Sequence, residues 1–178
     1  MNESWRLDTL AYLGLYLLIA AAIIMARILP LTNDSGWPAP DFLLGLPLAW
    51  VLRRPSHLPV LAIALVFLVE GLFVMRPPGL WALAVVVGSE FLRRRQSVVR
   101  EMNLLLEWAM VGAVMVAMSI AYRLALMIVM VPRDPLDLSA VKLAVTILTY
   151  PLMVWVLQTV LRVRKPATGE VDELGRKL

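Results

Sequence analysis

The sequence predicts an all-α membrane protein with six transmembrane helices and both termini in the cytoplasm. Hydrophobic residues make up 61% of the 178 residues, well above the roughly 45–50% that is typical of soluble domains. Six apolar segments alternate with short loops, and every second loop is rich in arginine. This positive-inside pattern gives the expected orientation, because loops rich in Lys and Arg stay in the cytoplasm.

The six segments differ in length and are separated by residues that favour turns. They are expected at about residues 10–29, 42–52, 58–75, 80–92, 103–131 and 138–161. Pro77-Pro78-Gly79 predicts a tight turn between segments three and four. Glu3 and Asp8 argue against a cleaved signal peptide at the start. Residues 1–165 are predicted to form a single transmembrane domain, and the polar residues 166–178 a disordered cytoplasmic tail.

Segment two is the shortest, with 11 apolar residues between Asp41 and Arg53, and it contains Pro47. Runs of this length are more often re-entrant or interfacial than spanning. If segment two did not cross, however, Arg53 and Arg54 would lie on the outer face of the membrane when the N-terminus is inside, against the positive-inside pattern. A short crossing within about residues 37–54 is therefore predicted.

The basic residues support this arrangement. Most of the 17 Lys and Arg residues fall on the predicted inner side: Arg6, Arg53, Arg54, Arg93, Arg94, Arg95, Arg100, Arg162, Arg164, Lys165, Arg176 and Lys177. Those at or near the outer side are Arg27, Arg76, Arg133 and Lys142, and Arg123 lies within segment five. The net charge of +4 is thus assigned to topology and to anionic lipid head groups, with no nucleic-acid partner expected.

Glu70 is an acidic residue inside segment three, about 6 Å outward of its middle at helical rise. An intramembrane acid is costly and should face protein or water. Arg123 in segment five lies at similar depth, so we expect the two to pair or to share a polar network with Arg27, Lys142 and Asp41. Such a network suits a binding site or proton relay, or else a charge pair that only fixes helix packing.

Two further acids, Glu90 and Glu107, lie near the predicted inner ends of segments four and five. Both are within reach of the basic stretch Arg93–Arg100. We expect an interfacial charge network in which these side chains extend to water.

Segment five also carries a stripe of small residues. Alanines recur every four residues at Ala109, Ala113, Ala117, Ala121 and Ala125. Small residues at this spacing let helix backbones approach closely in lipid. The stripe predicts either packing inside the six-helix domain or docking of another protein's transmembrane helix.

The sequence offers little for catalysis or metal binding. It contains one histidine, His57, and no cysteine, so a metal site or a Ser–His–Asp arrangement is not expected. No glycine-rich phosphate loop is present. We therefore predict a non-enzymatic protein without a cofactor.

Several local patterns occur in an order and at a total length that resemble one family. They are Pro38-Ala39-Pro40-Asp41 before segment two, Arg53-Arg54-Pro55 after it, Glu70-Gly71-Leu72 through Pro78-Gly79-Leu80, Leu106-Glu107-Trp108 in segment five, Thr149-Tyr150-Pro151-Leu152 in segment six and the basic end Arg162–Lys165. Taken together these motifs resemble the rod shape-determining protein MreD family, in which the position of Glu70 is more often Asp.

The resemblance implies a non-enzymatic scaffold in the bacterial cytoplasmic (inner) membrane that serves the cell-elongation machinery. It implies that MreC, a bitopic periplasmic protein, is the direct partner. Through MreC the complex would include the RodA glycosyltransferase, a class B penicillin-binding transpeptidase and the actin-like MreB. The six-helix fold is expected to be similar to the substrate-binding components of energy-coupling-factor vitamin transporters.

A second hypothesis is a membrane subunit that binds or transports a small, vitamin-like molecule. Buried charges and the fold analogy favour it, although fold analogy alone is a weak warrant. An internal repeat would support transport, and the sequence shows none.

Overall fold

The computed structural model describes residues 3–28, 39–77, 79–132 and 135–159, and this part of the chain contains helices and turns but no strand. The helices are α1 (Glu3–Ile28), α2 (Phe42–Arg53), α3 (Val60–Phe73), α4 (Leu80–Arg94), α5 (Gln96–Glu101), α6 (Leu104–Ile128) and α7 (Leu136–Thr159), with a 3-10 turn at Pro55–His57. The predicted tail 166–178, the basic end Arg162–Lys165 and most of the outer loop, 30–38, lie outside the described residues.

The all-helical class predicted from the sequence is confirmed for the described residues. Within the described residues, three stretches are long and apolar enough to cross a membrane: Thr9–Ile28, Leu104–Ile128 and Leu136–Thr159. Helices α2 and α3 are shorter but also apolar. These helices are consistent with a membrane protein.

Helix α2 lies at the centre of the molecule. Every residue from Leu43 to Arg53 is buried, and the helix contacts α1, α4, α5 and α7. A helix that is hydrophobic on all sides is expected in a protein core or across a membrane, and the burial of α2 on all sides fits the apolar sequence of segment two. The helix includes Pro47 and continues past it to Arg53.

Close packing around α2 depends on small residues and on aromatic side chains. Gly45 of α2 faces the Met153 side chain of α7, whose Sδ would lie 2.6 Å from a Cβ at position 45. The Trp50 ring meets that of Tyr16 edge to face, with 5.8 Å between ring centroids. The Trp108 indole of α6 donates a hydrogen bond to the Ile147 carbonyl oxygen of α7 at 2.7 Å. These contacts place α2 within a surrounding group of helices.

Contacts between helix ends show that α1 and α2 run in opposite directions. Tyr12 in the first half of α1 stacks edge to face on His57, just after α2, with centroids 5.0 Å apart. Arg27, at the other end of α1, contacts Asp41 at the start of α2. Helices α3 and α4 are also antiparallel, because Arg93 near the end of α4 donates to the Leu58 carbonyl oxygen just before α3.

Local residue chemistry explains where several helices begin. The Asp41 carboxylate accepts a hydrogen bond from the Leu44 backbone N–H and caps α2, and Asn103 caps α6 in the same way through Leu106. Gly79, with φ of +84°, begins α4 from the left-handed region that glycine adopts without strain. The short helix α5 was not predicted, because six residues do not carry a readable hydrophobic period.

Candidate functional site: two buried charge clusters

The helix ends bring together a group of charged side chains that we call the Glu70 cluster, formed by Arg27, Asp41, Glu70 and Arg76. Arg27 lies in the last turn of α1 and Asp41 caps α2. Glu70 lies in the last turn of α3, and Arg76 follows that helix. The Glu70 side chain is 1% exposed, and Asp41 is also buried.

A single guanidinium joins the two acids of the Glu70 cluster. Arg27 Nη1 lies 2.9 Å from Glu70 Oε1, and Arg27 Nη2 lies 2.5 Å from Asp41 Oδ1. Arg76 Nη1 approaches the same Glu70 oxygen at 3.5 Å. The rigid fork of arginine suits such a bridge, so the ends of α1, α2 and α3 are tied together electrostatically.

Helix α7 joins the cluster through Thr146 and Lys142. The Asp41 backbone N–H donates to Thr146 Oγ1 at 2.8 Å, and the Thr146 hydroxyl donates to the Lys142 carbonyl oxygen at 2.7 Å. The Lys142 ammonium lies near enough to Asp41 and Glu70 to interact with both electrostatically. Four of the five residues predicted for a polar network, Arg27, Asp41, Glu70 and Lys142, therefore lie together.

The predicted pair of Glu70 with Arg123 is wrong. The ion-pair partners of Glu70 among the described residues are Arg27 and Arg76, whereas Arg123 donates to the Pro135 carbonyl oxygen at 3.3 Å. Counting residues along a helix gives depth, but it does not give the direction in which a side chain points. Arg76 was predicted only as a basic residue near the outer side, and its position just after the segment that contains Glu70 is the signal that could have indicated this contact.

A second group, the Glu107 cluster, consists of Arg53, Glu107 and Tyr150. Arg53 Nη2 lies 2.9 Å from Glu107 Oε1, and the Tyr150 hydroxyl donates to the same oxygen at 3.0 Å. Arg53 also donates to the Ala49 carbonyl oxygen at 2.8 Å. None of the three residues is more than 1% exposed, so this cluster links α2, α6 and α7 in the core.

The Glu107 cluster corrects two expectations. Glu107 does not extend to water beside Arg93–Arg100, because it is enclosed by α2 and α7. Arg53, read from the sequence only as a loop residue that sets topology, is fully buried. Glu90 does behave as predicted: it lies 3.2 Å from Arg93 and 3.5 Å from Arg94, and its side chain is 34% exposed.

The alanine stripe of α6 faces away from the other helices that the structure describes. Ala109, Ala113, Ala117 and Ala121 are exposed, and Ala125 is half-buried. Helix α6 packs on its neighbours through its other side, which presents Val111, Gly112, Met115 and Met118. Of the two interpretations of the stripe, packing inside the domain is therefore wrong for the exposed alanines, and docking of another helix stays open.

Both clusters join helices of this chain to one another. In the part of the chain that the structure describes, no three His, Cys, Asp or Glu residues are grouped so that they would hold a metal ion. His57 is buried against Tyr12 and lies beside Ser56 Oγ, 3.1 Å from its Nδ1. In both clusters the observed interactions are ion pairs and hydrogen bonds that hold neighbouring helices together.

Comparison with known proteins does not assign this chain to a family. No protein-family model, curated protein or solved structure matches the chain. Function is therefore inferred from the geometry and from the motifs quoted above.

Proposed function

We propose that this protein is an integral membrane scaffold of the bacterial cell-elongation complex, as the resemblance to the MreD family implies. In this proposal the chain crosses the cytoplasmic membrane six times, with both termini inside. Its direct partner is MreC, and RodA, a class B penicillin-binding transpeptidase and MreB belong to the same complex. The three long apolar helices and the shorter apolar helices α2 and α3 support membrane insertion.

The surroundings of α2 support a six-span arrangement despite its length. Twelve residues rise about 18 Å, which is less than the roughly 30 Å of a bilayer core. With α2 centred in the bilayer, each of its ends would then lie about 6 Å inside the hydrocarbon core, close to the head groups, where backbone polar groups still need partners. Asp41 supplies one at the start of the helix. Just after the helix, Arg93 donates to the carbonyl oxygens of Pro55 and Leu58, in and beside the 3-10 turn.

The observation that carries the scaffold proposal is the outward stripe of α6. Its exposed alanines lie beside exposed Val116, Ile120 and Leu124, so this helix face of small and aliphatic residues has no partner among the described residues. In lipid, small residues allow a second helix to approach closely. The transmembrane helix of a single-pass partner such as MreC fits this face.

The proposal is tested by co-purification in detergent of the full chain with MreC. We expect recovery in near-equal amounts. The double variant Ala113→Leu and Ala117→Leu should lose most of the partner, because the added side chains hold the helices apart. The control is Ala144→Leu, since Ala144 is also exposed but lies on α7.

Unchanged recovery of MreC with the double variant would contradict docking on α6. Recovery of no partner protein, together with a tightly bound vitamin-like molecule, would contradict the scaffold and favour the small-molecule subunit instead.

A further inference from the structure

A pocket opens between the ends of α1 and α3, beside the Glu70 cluster. Its volume is about 310 Å³, which lies at the lower end of the range for ligand sites, roughly 300–1,000 Å³. It is lined by Ile24, Arg27, Ile28, Glu70, Phe73 and Val74. Apolar side chains therefore surround one guanidinium and one carboxylate, so the pocket suits an amphipathic ligand that carries charge.

Glu70 lines this pocket, and one of its carboxylate oxygens is not used within the described part of the chain. Its Oε1 accepts from Arg27 and Arg76, whereas its buried Oε2 has no hydrogen-bond partner among the described residues. A buried polar atom without a partner is costly, and more so when it is charged. A ligand N–H group that enters the pocket would remove this cost.

The two arginines place positive charge next to that acceptor. The Arg27 and Arg76 side chains are 25% and 22% exposed, so neither guanidinium is fully enclosed by the protein. A ligand with a phosphate and an ammonium group would find a complement for each charge within one site. The pocket lies at the ends of two helices, and in a six-span arrangement helix ends lie near the lipid head groups.

We propose that this pocket binds the head group of a phospholipid that bears a primary ammonium group. The ammonium donates a hydrogen bond to Glu70 Oε2, and the phosphate faces Arg27 and Arg76. Phe73 and Val74, both exposed, contact the glycerol and the first acyl carbons. This proposal rests on the membrane embedding described above, but it does not depend on the binding of a protein partner.

The test is native mass spectrometry of the full chain in detergent with competing lipids of identical acyl chains. Phosphatidylethanolamine is compared with phosphatidylcholine, whose trimethylammonium keeps the charge but has no N–H donor, and with phosphatidylglycerol, which lacks the cation. We expect phosphatidylethanolamine to be retained about tenfold more than either, the factor expected for one hydrogen bond to a charged group. Equal retention of all three lipids, or a preference for phosphatidylglycerol, would overturn the proposal.

Two variants test the carboxylate and the pocket volume separately. Glu70→Gln removes the carboxylate and should abolish the preference for ethanolamine over choline. Val74→Trp fills the pocket, leaves every charge in place and should reduce retention of the lipid itself. The control is Glu90→Gln, which removes a partly exposed carboxylate from another helix and should change neither readout.

Full lipid preference in the folded Val74→Trp variant would overturn the pocket as the site, even if Glu70→Gln did not fold. Carbodiimide cross-linking of Glu70 to a lysine of another protein in native membranes would also overturn it. The native mass spectrometry experiment contains no partner protein. Its failure together with successful recovery of MreC would therefore reject the lipid site and leave the scaffold proposal intact.

Discussion

At the scale of single residues, Arg53 is the most deeply buried charged residue in the described part of the chain. Its side chain is fully buried and its guanidinium contacts the Glu107 carboxylate and the Ala49 carbonyl oxygen. Glu107 in turn accepts a hydrogen bond from Tyr150. Removing one member of a buried ion pair leaves the other charge without compensation, which costs far more than the pair itself contributes.

We therefore predict that Arg53→Met lowers the free energy of unfolding by about 3–5 kcal/mol. Adding Glu107→Gln should recover much of this loss, because the buried charge disappears and the amide oxygen still accepts from Tyr150. Chemical unfolding in detergent micelles, followed by circular dichroism, measures both values.

The matched control for this prediction is Arg94→Met. Arg94 lies 3.5 Å from Glu90, but its side chain is 80% exposed, and exposed pairs contribute little. A double variant no more stable than Arg53→Met alone would show that the uncompensated charge is not the source of the loss.

The sequence identified some of these residues more readily than others. Glu70 stood out because an acid inside an apolar run is anomalous whatever its partners. Its pairing with Arg27 depends on the directions in which side chains point on α1 and α3. Counting residues along a segment gives only the depth of a residue and not this direction. Arg53 was harder to recognise, since an arginine at the end of an apolar segment also fits the positive-inside pattern.

At the scale of helices, α4 and α6 approach closely at a glycine. A Cβ added to Gly88 would overlap the side chain of Met118, and both residues are buried. Gly14 of α1 has no neighbouring atom within 4 Å of an added Cβ. The two glycines therefore separate the effect of packing from that of helix propensity.

We predict that Gly88→Leu destabilises the protein by about 1–3 kcal/mol, the usual cost of overpacking a core. Gly14→Leu should be neutral or slightly stabilising, because leucine is a better helix former than glycine. Thermal unfolding of the two variants in the same detergent provides the comparison. Equal melting temperatures would mean that Met118 moves aside without loss and that the close approach is unimportant.

The positions of the helices were largely predictable, because apolar segments bounded by turn-forming or charged residues are a strong signal. The role of α2 was not, since a short apolar run fits both a re-entrant segment and a buried crossing. Its burial depends on α1, α4, α5 and α7, and long-range packing of this kind is not encoded in local hydropathy. The outward direction of the alanine stripe was open for the same reason.

At the scale of the whole molecule, the six-span orientation makes a prediction that depends on α2. The chain has no cysteine, so each single-cysteine variant reports one position without background. Ser56 follows α2 and is exposed, Met75 follows α3 and is 94% exposed, and Leu136 begins α7 and is 71% exposed. If α2 crosses, Ser56 lies inside and the other two lie outside.

We predict that a membrane-impermeant maleimide added to intact spheroplasts labels Met75→Cys and Leu136→Cys. Ser56→Cys should be labelled only after the membrane is permeabilised. If α2 instead turned back within the bilayer, the sides of Ser56 and Met75 would be exchanged, because α3 would then cross in the opposite direction. Labelling of Ser56→Cys in intact spheroplasts with protection of Met75→Cys would therefore rule out the six-span arrangement. The same result would place Asp41 and Arg53, at the two ends of α2, on the same side of the membrane.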